Sequence, residues 1–196
     1  MRVNDIFSEI HNRMIEGEMM HHSLCMYFEF LGLNGFGEMQ NMRCVNEREE
    51  MVELERYFVR HYRELLNPSK LEIVEYAPES WYEVDSNELG SEDVRRAVEE
   101  FIRVWVEWEE ETKKKYEIAF GNLCDLREYA GSIFVKKLVK GVDYEFSFAY
   151  RLWLDLKRCN FDAVRISDVN DKICKMYKCM KERKGEEYEH KSEYSG

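Results

Sequence analysis

Residues 91–123 read SEDVRRAVEEFIRVWVEWEEETKKKYEIAFGNL, and their periodicity decides the fold class. Val94, Val98, Phe101, Ile102, Trp105, Thr112, Tyr116, Ala119, Phe120 and Leu123 fall on one side of a wheel at 3.6 residues per turn, while most acids and lysines take the other side. Ser91 offers an N-cap hydroxyl, and Glu92 and Asp93 suit the positive end of the helix dipole. A helix this long, with one continuous apolar stripe, needs neighbouring helices to cover it.

The flanking sequence supplies them. Residues 3–31 place Val3, Phe7, Ile10, Met14, His21, Leu24, Phe28 and Leu31 at helical spacing, and Gly32, Asn34, Gly35 and Gly37 then predict a turn. A second run through Met51, Leu54, Phe58, Tyr62 and Leu65 stops at Asn67-Pro68, and the short loop makes the first two helices antiparallel neighbours. Downstream, Asp125 is placed to cap a fourth helix carrying Ala130, Phe134, Leu138, Val142, Ala149, Leu152 and Leu156 and reaching about Arg158. Gly131 and Gly141 in it mark a bend or a close helix contact.

Between the second and third helices, residues 68–90 hold both prolines and show no helical period. A connection far longer than the usual roughly 2–8 residues is expected to run the length of a bundle, so that the third helix starts at the opposite end. A weaker pattern from Ser167, with Ile173, Met176, Tyr177 and Met180 on one face, predicts a short fifth helix. The expected organisation is one all-α domain over residues 1–183 and a charged, disordered tail over 184–196.

Composition narrows the function. The 196 residues carry 29 basic and 40 acidic side chains, a formal charge of −11 that repels phosphate backbones and anionic lipid, so neither nucleic acid nor membrane is expected as a partner. No apolar run approaches the roughly 18 residues of a membrane span, and the N-terminus lacks a secretory pattern. Six cysteines without a C-x-x-C pair suit reduced thiols, and the chain is read as cytoplasmic. P-loop, dinucleotide-binding, serine-elbow and zincin motifs are all missing. Trp105, Trp108 and Trp153 are read as core and interface aromatics, with a homodimer as the expected assembly.

Two carboxylates break the apolar stripes. Glu109 lies four residues after Trp105 and three before Thr112; Glu145 lies three after Val142 and four before Ala149. A buried ionised carboxylate costs several kcal/mol, on the order of the Born penalty after relaxation, unless it is paired, hydrogen-bonded or metal-bound. Two on neighbouring helices repel unless a cation sits between them. The first helix adds Glu18-Met19-Met20-His21, with His21 inside the apolar face, and the second adds Glu50 and Glu53 on one side.

These positions resemble the ferritins and the wider ferritin-like superfamily. Glu49-Glu50-Met51-Val52-Glu53 is similar to the ferritin E-E-x-x-H, and Glu109 with Thr112 to the third-helix glutamate and threonine. Tyr129-Ala130, Phe134-Val135, Leu138-Val139 and Glu145 track the fourth-helix series. The resemblance implies a ferritin-like four-helix bundle with a long second crossover. It also implies iron or manganese bound by Glu18 with His21, Glu50, Glu53, Glu109 and Glu145, and oxidation of Fe(II) as the usual reaction. Glu16 is an alternative to Glu18. Glu53 stands where ferritins have a histidine, and Gly141-Val142 where they have a Glu-Gln pair, so an all-oxygen site would favour manganese or weakly held iron. The competing expectation is a bundle without metal that serves as an interaction module, its glutamates bonded to Tyr27, Tyr57, Tyr116 or Arg151.

Overall fold

A computed structural model describes residues 2–66 and 89–193, with side chains as far as Lys178. It contains α1 (Val3–Phe30), α2 (Asn34–Tyr62), α3 (Ser91–Asp125), α4 (Tyr129–Arg158) and α5 (Ala163–Glu193), and no strand among the described residues. No helix is long and apolar enough to cross a membrane among those residues.

Helix boundaries depart from the sequence reading where backbone chemistry outweighs periodicity. The first turn is confined to Leu31, Gly32 and Leu33, with Gly32 at φ +71° and the Leu33 N–H reaching back to the Phe28 carbonyl at 2.8 Å. Asn34, Gly35 and Gly37, read as turn residues, already belong to α2. Gly35 is required there by packing: a Cβ on it would lie 2.0 Å from the backbone oxygen of Asn170 in α5. α2 ends at Arg63 (φ 59°), ahead of the Asn67-Pro68 stop. At the start of α3 the capping contact is made by Asp93, whose carboxylate accepts the Gly90 N–H at 3.0 Å, and Ser91 is already helical. Asp125 closes α3 and does not cap α4. The fifth helix begins at Ala163, because Asp162 Oδ1 accepts the N–H groups of Val164 and Arg165 at 3.0 and 3.3 Å. It is 31 residues long rather than short, and its backbone stays helical through residues 184–193, the stretch read as a tail. Residues 194–196 lie outside the described residues.

The helices pack as two antiparallel pairs, α1 with α2 and α3 with α4, with α1 facing α3 and α5 lying on α2. Contacts between α1 and α3 run in opposite directions along the two chains: Arg13 meets Thr112, His21 meets Glu109, and Phe28 meets Phe101. The end of α2 lies near the start of α1, where Phe58 packs on Phe7 and Glu64 accepts from Asn4, whereas the start of α3 lies near the end of α1. The chain therefore leaves α2 at one end of the bundle and enters α3 at the other. Residues 67–88, where the crossover is read, lie outside the described residues. Gly131 makes the expected close contact, since a Cβ there would lie 3.1 Å from Tyr62 Oη and 3.2 Å from Phe7.

The apolar interior forms two clusters. One gathers Met20, Leu24, Phe28, Phe36, Phe101 and Trp105 with Ile166 and Ile173 of α5; the other gathers Phe7, Met14, Leu54, Phe58, Tyr116 and Leu123. Between them lies a polar belt containing Arg13, His21, Gln40, Glu109 and Thr112, all buried. Trp108, expected at an interface, is 5% exposed within the protomer, its ring covered by the Arg13 guanidinium at 3.2 Å.

The α5 anchor is directly testable. Asn170 Oδ1 accepts the free N–H groups of Gly35 and Phe36 at 2.8 and 3.3 Å, capping α2 from another helix. Asn170→Ala should lower stability in urea denaturation by about 1 kcal/mol, the usual worth of a cap. Gly35→Ala should cost more and expose α5 to limited proteolysis, because the added methyl cannot coexist with the Asn170 backbone.

Candidate functional site

The belt is built around Glu109. The α3 stripe carries its carboxylate inward, where the residue is 1% exposed, and the Trp105 indole N–H one turn earlier donates to Oε1 at 2.8 Å. Burial pushes the carboxyl up to about 7, opposed by the Trp105 hydrogen bond and the charges of Arg43 and Arg13. His21 Nε2 lies 3.6 Å from the same Oε1. The imidazole is fully buried, and its Nδ1 lies 2.7 Å from the amide oxygen of Gln40, an acceptor, so Nδ1 carries the proton. Burial pulls the imidazole down to about 4, so at neutral pH it is uncharged and Nε2 presents a lone pair without a hydrogen-bond partner.

Glu47 and Glu50 of α2 complete the belt. A Cβ at Gly17 of α1 would lie 3.1 Å from the Glu47 carboxyl carbon, so Glu47 occupies space left by that glycine, while Glu50 Oε1 lies at ordinary contact distance, 3.8 Å, from where a Cβ of Gly141 of α4 would be. Burial, followed by the charges of Glu109 and Glu50, holds the Glu47 carboxyl well above the ordinary carboxylate range. Burial also raises Glu50, against the opposing charge of Lys137. The Tyr116 phenol nearby is raised by burial and then by the charges of Glu47 and Glu50.

Glu47 is the residue that sequence reasoning missed. It lies four residues before Met51, seven before Leu54 and eleven before Phe58, on the same stripe. The glycines and asparagine of 32–37 carry the signature of a turn, and a wheel that begins after them at Met51 does not reach Glu47.

The remaining predicted residues are distributed differently. Glu53 is exposed and paired with Lys137 Nζ at 2.8 and 3.1 Å. Glu18 accepts from Arg48 Nε at 2.9 Å on the outer side of the α1–α2 pair. Glu145 is partly buried and ion-paired with Arg43 of α2, and Glu16 faces Arg13 at 3.8 Å. Of the six expected ligands, His21, Glu50 and Glu109 are therefore brought into one region, Glu145 borders it through Arg43, and Glu18 and Glu53 are held in ion pairs outside it. The tyrosines and Arg151, proposed as partners of the core glutamates, are replaced in that role by Trp105 for Glu109 and Arg43 for Glu145. Arg13 is engaged with Thr112 Oγ1 at 2.8 Å, the Trp108 carbonyl at 3.1 Å and Glu111 at 3.2 Å.

No three His, Cys, Asp or Glu side chains form a ready metal cage among the described residues. Two observations nevertheless fit a cation: the bare, fully buried Nε2 of His21, and the space at Gly17 that holds Glu47, on which the charges of Glu109 and Glu50 act. Cys25 and Cys44 are buried outside this set, and burial pushes the Cys25 thiol up to about 11, so it stays protonated.

The chain has a ferritin-like four-helix-bundle fold. It is similar to an Archaeoglobus fulgidus ferritin engineered into a closed form, at TM-score 0.69 and 17% identity, over 87% of this chain and 93% of that one. The open-pore ferritin of the same archaeon gives 0.68 and 13% over 87% and 93%, and an iron-soaked PmFTN variant 0.68 and 12% over 87% and 98%. At such identities the likeness is one of fold. No protein-family model matches the sequence, and no curated protein matches it.

Glu109 sets a pH dependence of defined sign. Its folded-state value, about 7, lies above the ordinary 4.5, so the folded protein holds the extra proton and loses stability as pH rises through that window. Glu109→Gln keeps an acceptor for Trp105 and has no charge to bury. Its stability should match wild type below pH 4.5 and exceed it by on the order of 3 kcal/mol above pH 7, at about 1.36 kcal/mol per pKa unit. His21 acts with the opposite sign, favouring unfolding as pH falls from 6.5 towards 4, but does so in both proteins. Denaturant titrations at pH 4, 6 and 8 check the difference.

Proposed function

We propose that this ferritin-like bundle binds a divalent transition metal, iron or manganese, among Glu47, Glu50 and Glu109. The reading is supported by three acids whose carboxyls burial raises, Glu47 also feeling the charges of Glu109 and Glu50, and Glu109 that of Glu50. Of the cations that reach them, Arg43 is engaged with Glu145, Arg13 with the Thr112, Trp108 and Glu111 group, and Lys137 with Glu53. A divalent ion drawing the carboxylates together would relieve the repulsion, and oxygen donors suit manganese, with iron held more weakly. The iron-soaked PmFTN structures make iron the first ion to try. Iron held there would supply one-electron redox chemistry.

The chain's own part is to hold and release protons. Metal must displace the proton of Glu109 and that of Glu47, so affinity should rise as pH increases from 6 to 8. Glu47→Ala and Glu50→Ala should each weaken Mn(II) binding at least about tenfold, while Glu53→Ala leaves it unchanged, because Glu53 belongs to a surface ion pair. Calorimetric titration with Mn(II), and with Fe(II) under anaerobic conditions, checks both statements. The expected homodimer is carried with this proposal and is read from light scattering of the same samples.

A second reading is favoured by Arg43, which places a guanidinium where a bound ion would otherwise neutralise Glu145. In that case the belt is a metal-free ion-pair core and the bundle acts as a scaffold. Absence of metal uptake at pH 8, with a Glu47→Gln, Glu109→Gln variant more stable than wild type, would establish it.

A further inference from the structure

His21 and Gln40 form a buried polar pair. Both are 0% exposed, one on α1 and one on α2. Their single hydrogen bond joins Nδ1 to the Gln40 amide oxygen at 2.7 Å. The opposite ring nitrogen has no hydrogen-bond partner and faces Glu109 Oε1 at 3.6 Å, too far for a hydrogen bond. The Trp105 ring edge, 6.4 Å away between centroids and inclined at 83°, closes the side of the imidazole. A buried imidazole nitrogen left bare beside a carboxylate is costly, a cost that an ion shared by the two, off the line joining them, would remove.

We infer that Gln40 is a positioning residue: by accepting the Nδ1 proton it fixes the ring of His21 so that Nε2 points at Glu109 as a nitrogen donor, which makes the belt prefer imidazole-seeking metals over purely oxygen-seeking ones. The inference rests on the metal reading above and adds to it the class of ion. Carboxylates alone suit magnesium, calcium and manganese, whereas one imidazole shifts preference towards iron, cobalt and zinc. A group that holds the far nitrogen of a ligating histidine typically alters metal affinity 10–100-fold when removed, roughly the range expected here.

The test uses the full chain labelled with 15N-histidine and Zn(II) as a diamagnetic probe, the His21 signals being assigned by their loss in His21→Gln. In metal-free protein Nδ1 should show a protonated shift and Nε2 an unprotonated one, and Zn(II) should move the Nε2 signal. Gln40→Leu should weaken Zn(II) binding about tenfold or more and Mn(II) binding much less, and Gln40→Glu, which keeps an acceptor, should restore it. A ring protonated at Nε2 overturns the inference, and so does Zn(II) binding that leaves Nε2 unmoved and survives Gln40→Leu; in both, the carboxylate metal reading stands. No binding of Zn(II), Mn(II) or Fe(II) overturns both together. The wild-type spectra decide even where Gln40→Leu does not fold.

Discussion

Burial of a carboxylate at the waist of the bundle is the constraint on which the other features depend. Glu109 enters the interior because the α3 stripe carries it there, and a buried charge cannot be left without donors or counter-charge. The surrounding choices follow from that requirement. Trp105 supplies a neutral donor, Arg13 and Arg43 bring positive charge into the belt, and the carboxyl meets the remaining cost by holding its proton more tightly. Gly17 leaves room for Glu47 of α2, and with Glu50 nearby the electrostatic cost rises again. An apolar core would have been cheaper, and retaining several opposed acids in one belt is what gives the region a chemical character.

The topology makes this belt possible. Because α1 and α3 run in opposite directions with their midpoints side by side, His21 meets Glu109 while Phe28 meets Phe101 beyond it and Arg13 meets Thr112 on the other side. Two apolar clusters then seal the belt from both ends. α5 reinforces one of these seals: Ile166 and Ile173 join that cluster, and Asn170 ties the start of α2 in place. The same fold recurs in ferritins at identities too low to carry residues across, so function has to be argued from the belt itself.

Much of the fold was legible because helical periodicity is a local property. The four long helices, the inward placement of Glu109 and His21 and the close contact at Gly131 all follow from spacing in the sequence. The errors have a common cause as well. Gly35 and Gly37 look like a turn when considered in isolation, yet both are helical positions, and at Gly35 the α5 backbone approaches α2 too closely for a side chain. A periodic run beginning at Met51 leaves Glu47 out, whereas Glu53, which the resemblance implies as a ligand, lies on the solvent side with Lys137.

The sequence by itself determined that four long helices form and where their apolar stripes lie, since both depend on neighbours three and four positions away. Tertiary structure decided which inward residues meet. The axial register of α1 against α3 and α2 put His21 beside Glu109 and Gln40, and helix contact gave Arg43 to Glu145 and Gly17 to Glu47. Those pairings depend on the packing of whole helices, in which a shift of one turn, about 5.4 Å, would exchange every partner while leaving each periodic pattern unchanged.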